Sequence, residues 1–269
     1  MKQIIFKGKK IFYNTQGSGK PVMLLHGFAE DGRIWNHQLK KLKEHFLVIV
    51  PDLPGSGSSE LLEGEIQMED YADVIKTIVN TELSEKKRQQ FTLLGHSMGG
   101  YITLAFAEKY PDLLNAFGLF HSTAYADDDA KKQIRKKGIE FIKNNGAGLF
   151  LKNTTANLFS EKTKNTRPEL VDDLINFSKY FSSEALIQYY KAMIERPDRT
   201  KVLKTFKKPI LFVIGKNDNA VPLKASLDQC HLPSISYVKI LQNSGHMGMW
   251  EEKKEANVFL LEFIKQVID

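Results

Sequence analysis

Short, uninterrupted apolar runs recur along this chain, and longer amphipathic segments separate them. Strands buried on both faces of a parallel sheet have this pattern, because the helices that connect them cover the sheet. Residues 1–17 predict two further strands that pair with each other. The last of the apolar runs alternates polar and apolar residues and is expected near an edge of the sheet. The runs are PVMLLHG (21–27), FLVIVPD (46–52), FTLLGHS (91–97), AFGLFHS (116–122), PILFVIG (209–215) and ISYVKIL (235–241).

The segments between these runs have the apolar spacing of helices. Predicted helices cover residues 33–45, 68–82, 98–110, 222–231 and 250–268. Between residues 122 and 197 there is no strand run, and aromatic residues recur at helical spacing in a lysine-rich, polar stretch. We therefore predict an α/β fold with a mostly parallel central sheet flanked by helices. Residues 1–121 and 198–269 form its core, and residues 122–197 form an inserted helical cap.

The formal net charge of +6 does not by itself indicate a nucleic-acid partner. The lysines are spread over the chain, and the densest basic groups, at 84–90 and 131–137, have the polar surroundings of solvated surfaces. A small-molecule substrate is the expected partner, and the sequence leaves the oligomeric state open. No apolar run approaches the ~20 residues that span a bilayer. Residues 1–17 lack the apolar core of a signal peptide, which predicts a cytoplasmic location.

Cysteine usage and glycine-rich stretches bear on cofactors. The single cysteine, Cys230, cannot form an internal disulfide and is consistent with a reducing compartment. No group of cysteine and histidine residues has the spacing of a metal site, so no metal is expected. GSGK (17–20) is not a phosphate-binding loop, since Asn14 stands where that motif needs glycine and Pro21 where it needs serine or threonine. No nucleotide cofactor is expected.

A serine lies where a predicted strand gives way to helical spacing, in FTLLGHSMGGYI (91–102). The residues from Gly95 to Gly99 have the pattern G-x-S-x-G, which is typical of a nucleophile on a sharp strand-to-helix turn. Glycine two residues to either side avoids collisions in such a turn, and the helix N-terminus stabilises negative charge beside the serine. Ser97 is therefore the candidate nucleophile, and the alternative is a serine that merely occupies a glycine-rich connection.

A serine nucleophile needs a histidine base and a carboxylate. After a turn of this type, both residues follow the serine in the chain, on loops after later strands. Asp218 and His246 follow the last two predicted strands, so we predict Asp218 as the acid and His246 as the base. The alternative acids follow an earlier strand, at the point where the first cap helix would begin; they are Asp127, Asp128 and Asp129.

Two backbone N–H groups must converge on a developing oxyanion. Met98 follows the nucleophile and is predicted to supply one of them. Phe28, which ends the sequence LLHGF after another predicted strand, is predicted to supply the second, with His26 supporting this loop through hydrogen bonds. His121 and Tyr189 are predicted to line the substrate pocket, because His121 ends a strand on the catalytic side and Tyr189 is an aromatic residue of the cap.

Several motifs together resemble the α/β-hydrolase superfamily, and they appear in that family's order across nearly the whole chain: LLHGF, VPDLPGSGSS, LLGHSMGGY, IGKNDNAVP and SGHMGMWE. With the helical insertion, GHSMGGY is similar to the single-chain esterases and related small-molecule hydrolases that carry a cap. The resemblance implies a triad of Ser97, Asp218 and His246, with oxyanion donors at Phe28 and Met98. Haloalkane dehalogenases and epoxide hydrolases of this superfamily use an aspartate nucleophile, so the serine argues against both.

These observations predict a serine hydrolase that cleaves ester-like bonds of small to medium, largely apolar substrates through an acyl-enzyme. Hydrolysis of a carbon–carbon bond uses the same triad. Relatives that catalyse it, or a related lyase step, often carry an arginine near the nucleophile or in the cap, and Tyr101 after the second glycine argues against the lyase. Cofactor-free perhydrolysis also uses this triad, and the sequence does not separate it from ester hydrolysis. A hydrolase-derived ligand receptor is a further alternative, which the intact triad disfavours.

Overall fold

The computed structural model describes residues 1–83 and 90–268, so most of the basic group at 84–90 lies outside the described residues. Within the described part, one sheet contains β1 Lys2–Phe6, β2 Lys9–Gln16, β3 Pro21–Leu25, β4 Leu47–Pro51, β5 Phe91–His96, β6 Leu114–Phe120, β7 Ile210–Gly215 and β8 Ser236–Leu241. The strand order is β1-β2-β4-β3-β5-β6-β7-β8. From β4 to β8 neighbouring strands are parallel, whereas β1–β2 and β2–β4 are antiparallel. The predicted α/β fold class is confirmed.

The burial of the strands follows their sequence patterns. β3, β5 and β7 are buried at every position, as expected for strands covered by helices on both faces. β8 is an edge strand, and most of its residues are only partly buried or exposed, in agreement with its alternating pattern. β6 begins at Leu114, two residues before the predicted run, because Leu114 pairs with Phe91 across a shift in register.

The helices of the described residues are α1 Asn36–Leu42, α2 Met68–Leu83, α3 Met98–Lys109, α4 Asp129–Thr154, α5 Glu161–Thr166, α6 Glu169–Ser178, α7 Ser183–Glu195, α8 Thr200–Thr205, α9 Leu223–Cys230, α10 Gly248–Glu251 and α11 Lys253–Ile268. Outside the insertion, the helices lie close to the predicted positions, except that α1 is shorter than predicted and α8 was not predicted. The predicted helix at 250–268 is in fact two helices, because the backbone leaves the helical conformation at Glu252. Among these helices of the described residues, none combines the length and hydrophobicity that crossing a lipid bilayer requires.

Residues 122–197 are all described, and their regular elements are helical. α4 and α7 pack together, and α4 is interrupted at Gly146, whose φ of 81° lies outside the helical range. The two ends of the insertion meet, because Arg199 N–H donates to Ala124 C=O at 2.7 Å. β6 and β7, which the insertion connects, are neighbours in the sheet. The helical character agrees with the sequence pattern, while a covering role over a substrate pocket stays a prediction.

The parallel strands deliver the candidate residues to one edge of the sheet. β3, β5, β6, β7 and β8 run in the same direction, so their carboxyl ends meet there. The loops and turns that follow these ends contain Phe28, Ser97, His121, Asp218 and His246. This edge is where ligands bind in open α/β sheets.

Candidate active site

Ser97 lies on a sharp turn between β5 and α3, with φ of 51° and ψ of −114°. This conformation is strained for a residue with a side chain and persists only where surrounding contacts hold it. Ser97 N–H donates to Phe120 C=O at 2.9 Å, and Ser97 C=O accepts from Gly100 N–H at 2.9 Å and from Ser122 Oγ at 2.7 Å. These three bonds fix the turn that presents the Ser97 side chain.

The two glycines of the motif are needed for different reasons. A Cβ atom at Gly95 would collide with the backbone of Gly99 and Gly100, so glycine at 95 permits the turn itself. A Cβ atom at Gly99 would lie 2.7 Å from the carbonyl oxygen of Leu25 and 2.6 Å from that of His26. Glycine at 99 therefore lets α3 approach the end of β3. Gly95 alone of the two avoids a collision within the turn.

Asp218 and His246 form a buried hydrogen-bonded pair. His246 Nδ1 donates to Asp218 Oδ2 at 2.8 Å, and Asp218 Oδ1 accepts from the N–H groups of Ala220 at 2.8 Å and Val221 at 2.9 Å. In the described part of the chain, neither Ser97 Oγ nor His246 Nε2 makes a hydrogen bond. The structure thus joins the predicted acid to the predicted base, and leaves the reactive atoms of Ser97 and His246 without a bond between them.

A second histidine donates to the same carboxylate. His121 Nδ1 lies 3.1 Å from Asp218 Oδ2, and His121 Nε2 accepts Gly248 N–H at 3.2 Å. Because Nε2 acts as an acceptor, the neutral ring carries its proton at Nδ1 and donates it to Asp218. His121 is only 1% exposed, so this residue, predicted to line the pocket, lies behind the acid. The sequence placed His121 at the end of a strand on this edge of the sheet, but it did not predict the hydrogen bond to Asp218.

The buried charges set the protonation states of this group. Burial alone would raise the pKa of Asp218, but the charge of His246 and hydrogen bonds from both histidines outweigh burial and hold that pKa well below its usual range. For His121, burial is the largest influence and lowers the pKa to about 4. Asp218 is therefore a carboxylate at neutral pH, and His121 is a neutral donor to it.

The loop after β3 brings Phe28 beside the serine turn. Gly27 approaches so closely that a Cβ atom on it would lie 3.1 Å from Ser97 Cβ. His26 Nδ1 donates to Gly27 C=O at 2.9 Å, while His26 Nε2 accepts Leu53 N–H at 2.9 Å. The C=O and N–H of a trans peptide point in opposite directions. By holding Gly27 C=O, His26 also fixes the direction of Phe28 N–H.

Among the described residues, neither predicted oxyanion donor uses its N–H group in a hydrogen bond with another loop or strand. Met98 is the first residue of α3, so its N–H has no carbonyl partner within the helix. Phe28 N–H makes no backbone hydrogen bond among the described residues. Two unused N–H groups, one at a helix N-terminus and one in the adjacent loop, are an arrangement that can stabilise developing negative charge.

A buried ion pair that the sequence did not predict connects the loops around Ser97. Glu30 Oε2 accepts from Gly27 N–H at 2.6 Å and from His96 Nδ1 at 2.9 Å, and His96 Nε2 donates to His246 C=O at 3.0 Å. Burial alone would lower the pKa of His96, but the charge and hydrogen bond of Glu30 outweigh burial and raise it. A protonated His96 donates from both nitrogens and thereby ties the Phe28 loop, the serine turn and the His246 loop together.

A cavity of about 110 Å³ lies between the helical insertion and the Phe28 loop. Phe150 and Tyr190 line it from the insertion, and the Tyr190 ring stacks on the Phe28 ring with centroids 4.4 Å apart. Tyr189, predicted to line the pocket, is fully buried and donates its O–H to Pro54 C=O at 2.7 Å. The tyrosine that faces the cavity is its neighbour, Tyr190.

A family model described as the alpha/beta hydrolase fold matches residues 20–253. This range contains every residue of the site described above. The chain belongs to the α/β-hydrolase family.

Relatives of this α/β-hydrolase have varied functions. A thermophilic esterase from Thermogutta terrifontis, solved with malate bound, has a TM-score of 0.93 and 28% identity, with 100% of both chains covered. A 2-hydroxy-6-oxononadienedioate/2-hydroxy-6-oxononatrienedioate hydrolase from Escherichia coli is 28% identical over 278 residues, which cover 96% of this chain and 92% of that protein. An uncharacterized protein of Mycobacterium tuberculosis is 32% identical over 108 residues; the alignment spans 40% of this chain and only 30% of that protein's length.

Three side chains of this α/β-hydrolase have the composition of a metal site. Donor atoms of His121, Asp218 and His246 lie within 4.8 Å of one another. Both histidines, however, direct Nδ1 at Asp218 Oδ2 and donate a proton to it, so neither Nδ1 offers a lone pair to a metal. The donor set fits a hydrogen-bonded acid better than a metal centre.

The neutral, buried His121 predicts how the stability of this α/β-hydrolase depends on pH. The unfolded chain binds a proton at His121 near pH 6.5, whereas the folded protein does so only near pH 4. Between these values the unfolded state binds more protons, so stability falls as the pH is lowered through this window. We expect the free energy of unfolding to drop by about 2 kcal/mol from pH 7 to pH 4.5 through this residue.

Urea unfolding at the two pH values measures this effect. The comparison variant is His121→Asn, since asparagine tolerates a positive φ and retains an N–H donor for Asp218. This variant should show a smaller loss of stability than the wild type over the same pH range. An equal loss in both proteins would mean that His121 does not remain neutral in the fold.

Proposed function

We propose that this α/β-hydrolase is a serine hydrolase that cleaves ester-like bonds of small to medium, largely apolar substrates. The observation that carries the proposal is a convergence at one edge of the sheet. The strained Ser97, the hydrogen-bonded pair of His246 and Asp218, and the unused N–H groups of Phe28 and Met98 all lie at the carboxyl ends of parallel strands. These are the parts that acyl transfer by a serine requires.

In the proposed mechanism, His246 Nε2 takes the proton of Ser97 as Ser97 Oγ attacks the substrate carbonyl. Asp218 accepts from His246 Nδ1, which keeps Nε2 free to act as the base and stabilises the charged ring that forms. The N–H groups of Phe28 and Met98 hold the oxyanion. His246 then gives its proton to the leaving alcohol, and a water activated by the same ring releases the acid from Ser97.

We further propose that residues 122–197 act as the cap of this site. Tyr190 and Phe150 of the insertion contribute apolar surface to the cavity beside Phe28. In addition, His246 N–H donates to Leu158 C=O at 2.7 Å, so the insertion contacts the loop that carries the base. An apolar cavity of this kind suits an acyl group or an aromatic ring.

Hydrolysis of a carbon–carbon bond is the second candidate function. The Escherichia coli relative, which aligns with 96% of this chain, is named as a hydrolase of 2-hydroxy-6-oxononadienedioate, whereas the Thermogutta relative is named as an esterase. Both reactions are compatible with a serine, a histidine and an aspartate. We favour ester hydrolysis because the esterase superimposes on the whole chain with a TM-score of 0.93.

The experiment that tests the proposal measures initial rates with p-nitrophenyl esters of increasing acyl length. We expect hydrolysis of the short esters and a fall in kcat/KM beyond the length that the cavity under the insertion admits. A fluorophosphonate probe, followed by peptide mass spectrometry, should modify Ser97. The same preparations are then assayed with a dienoic carbon–carbon hydrolase substrate and, for perhydrolysis, with an ester plus hydrogen peroxide.

Three outcomes would change the assignment. Faster turnover of the dienoic compound than of any ester would favour the carbon–carbon hydrolase, and faster peracid formation than hydrolysis would favour the perhydrolase. Labelling of Ser97 without turnover of any of these compounds would favour a ligand receptor.

A further inference from the structure

The cavity between the helical insertion and the Phe28 loop has a carboxylate in its wall. Glu30 lines this cavity and is only 3% exposed. One of its carboxylate oxygens, Oε2, accepts from both Gly27 N–H and His96 Nδ1. The other oxygen, Oε1, makes no hydrogen bond among the described residues. The carboxylate therefore has an unused acceptor, because each of its oxygens can accept two hydrogen bonds.

The unused oxygen of Glu30 is open to the cavity. In the described part of the chain, the completely enclosed polar side-chain atoms that lack a partner are Trp35 Nε1 and Gln38 Oε1. Glu30 Oε1 is not one of them, so a neighbouring group can still reach it, and the open space beside Glu30 is the cavity. Buried polar groups in folded proteins are almost always hydrogen-bonded. A molecule that fills the cavity is therefore expected to donate a hydrogen bond to this oxygen.

The charges around this oxygen indicate which kind of donor it accepts. Burial would raise the pKa of Glu30, but the charge of His96 and the hydrogen bonds from His96 and Gly27 outweigh burial and lower it. Glu30 is therefore ionised at neutral pH, and with the protonated His96 it forms a pair that carries no net charge. A cationic donor such as an ammonium group would add an unpaired charge to this buried site, which is costly. A hydroxyl group, which is a neutral donor, avoids that cost.

Three hydroxyl-bearing side chains of the insertion also line the cavity, namely Thr154, Thr155 and Ser178. Each hydroxyl donates its proton to the carbonyl oxygen four residues earlier in the chain, at distances of 2.9, 2.7 and 2.6 Å. Because these protons are engaged within the helices, the three oxygens can act toward a ligand only as acceptors. Like Glu30 Oε1, they match a ligand that brings its own hydrogen-bond donor.

The carboxylate of Glu30 lies close to the nucleophile. A Cβ atom on Gly27 would lie 2.9 Å from Glu30 Oε2 and 3.1 Å from Ser97 Cβ, so these two atoms are no farther apart than the sum of the two distances. An acyl group on Ser97 Oγ can span this gap with a hydroxyl on its third carbon. The cavity volume of about 110 Å³ corresponds to about four non-hydrogen atoms at roughly 30 Å³ each, which is the size of a short acyl chain.

We propose that Glu30 is a specificity-determining residue that binds a hydroxyl group on the acyl part of the substrate. The inference rests on the proposed function of Ser97 and narrows the substrate class to esters of short 3-hydroxy acids. The substrate hydroxyl donates to Glu30 Oε1, which holds the acyl chain in the cavity beside Phe28. Glu30 selects the acyl group in this way and takes no part in bond cleavage.

Two esters of the same shape test this subsite, namely ethyl 3-hydroxybutanoate, as each enantiomer, and ethyl 3-methylbutanoate, which has a methyl group in place of the hydroxyl. Each kcat/KM is divided by the rate constant of alkaline hydrolysis, which corrects for intrinsic reactivity. We expect the wild type to prefer one enantiomer of the hydroxy ester by about tenfold or more, as for a hydrogen bond to a charged group. Glu30→Gln should remove most of this preference. Asp31→Asn should retain it, because this neighbouring buried carboxylate is bonded to Arg33 and is not part of the cavity wall.

A binding measurement separates failure of the subsite from failure of the proposed function. Calorimetric titration of the two esters into Ser97→Ala, and into the same variant with Glu30→Gln, requires no turnover. Tighter binding of the hydroxy ester that depends on Glu30 would support the subsite even if the wild type hydrolyses neither ester. Equal affinity for the two esters would overturn it, whatever the rate of hydrolysis. An equal loss of kcat/KM for both esters in Glu30→Gln would also overturn it, since Glu30 would then act on the Phe28 loop or on the water that releases the acid.

Discussion

Replacing Ser97 with alanine is expected to lower kcat for ester hydrolysis by about 10⁵-fold, because the acyl-enzyme can no longer form. Residual turnover would come from the Phe28 and Met98 N–H groups and from His246 acting on water. Initial rates on the best p-nitrophenyl ester measure the loss. Alanine is tolerated as poorly as serine at φ of 51°, so the variant should keep the melting temperature of the wild type within a few degrees.

A matched control distinguishes loss of the nucleophile from loss of a buried serine. Ser226 on α9 is 3% exposed and lies outside the site, and Ser226→Ala should retain full activity. The fluorophosphonate probe should modify the Ser226→Ala protein and leave Ser97→Ala unmodified. If Ser97→Ala hydrolysed the same ester at a rate within tenfold of the wild type, the nucleophile would have to be another residue.

The Asp218→Asn variant is expected to lose about 10⁴-fold in kcat. Asparagine keeps the shape of the side chain but directs an NH₂ group or a neutral oxygen at His246 Nδ1. The ring then takes the wrong tautomer or loses the negative charge that stabilises it when protonated. The loss should be measured at neutral pH, where Asp218 is ionised because its pKa is held well below the usual range.

His121 provides the comparison for this variant, since it donates to the same oxygen of Asp218. We expect His121→Asn to lower kcat far less than Asp218→Asn, because the carboxylate and its bond to His246 remain. A loss of less than about tenfold in Asp218→Asn would instead favour another acid. The sequence alternatives are constrained by structure: Asp127 is paired with two arginines, and Asp128 caps α4 by accepting Lys131 N–H at 2.7 Å.

The sequence was sufficient for the sheet and for the order of the site residues along it. Buried strands produce apolar runs, and a serine between glycines at the end of β5 has few structural explanations. Asp218 and His246 could be placed at strand ends because parallel strands deliver their carboxyl ends to one edge. We predicted that both glycines avoid collisions within the serine turn. This was less accurate for Gly99, which makes room for the carbonyl groups at the end of β3.

Contacts between distant segments could not be predicted from periodicity. Glu30 and His96 are 66 positions apart, and His121 and Asp218 are 97 positions apart. Which side chains meet across such distances depends on how the strands order themselves in the sheet. Which of Tyr189 and Tyr190 faces the cavity depends on how α7 is rotated about its own axis. Two adjacent tyrosines in the sequence do not determine that rotation.

The bond between Arg199 N–H and Ala124 C=O closes the helical insertion at its base. The intervening segment leaves and rejoins the molecule at one point, between adjacent strands, so its length and composition can change while β6 and β7 keep their register. Under the proposed cap function of residues 122–197, adaptation to a new substrate and maintenance of a foldable scaffold would fall to separate stretches of the polypeptide. A transplanted segment must still supply an acceptor where Leu158 C=O receives His246 N–H, which makes that carbonyl the design constraint for chimeric enzymes.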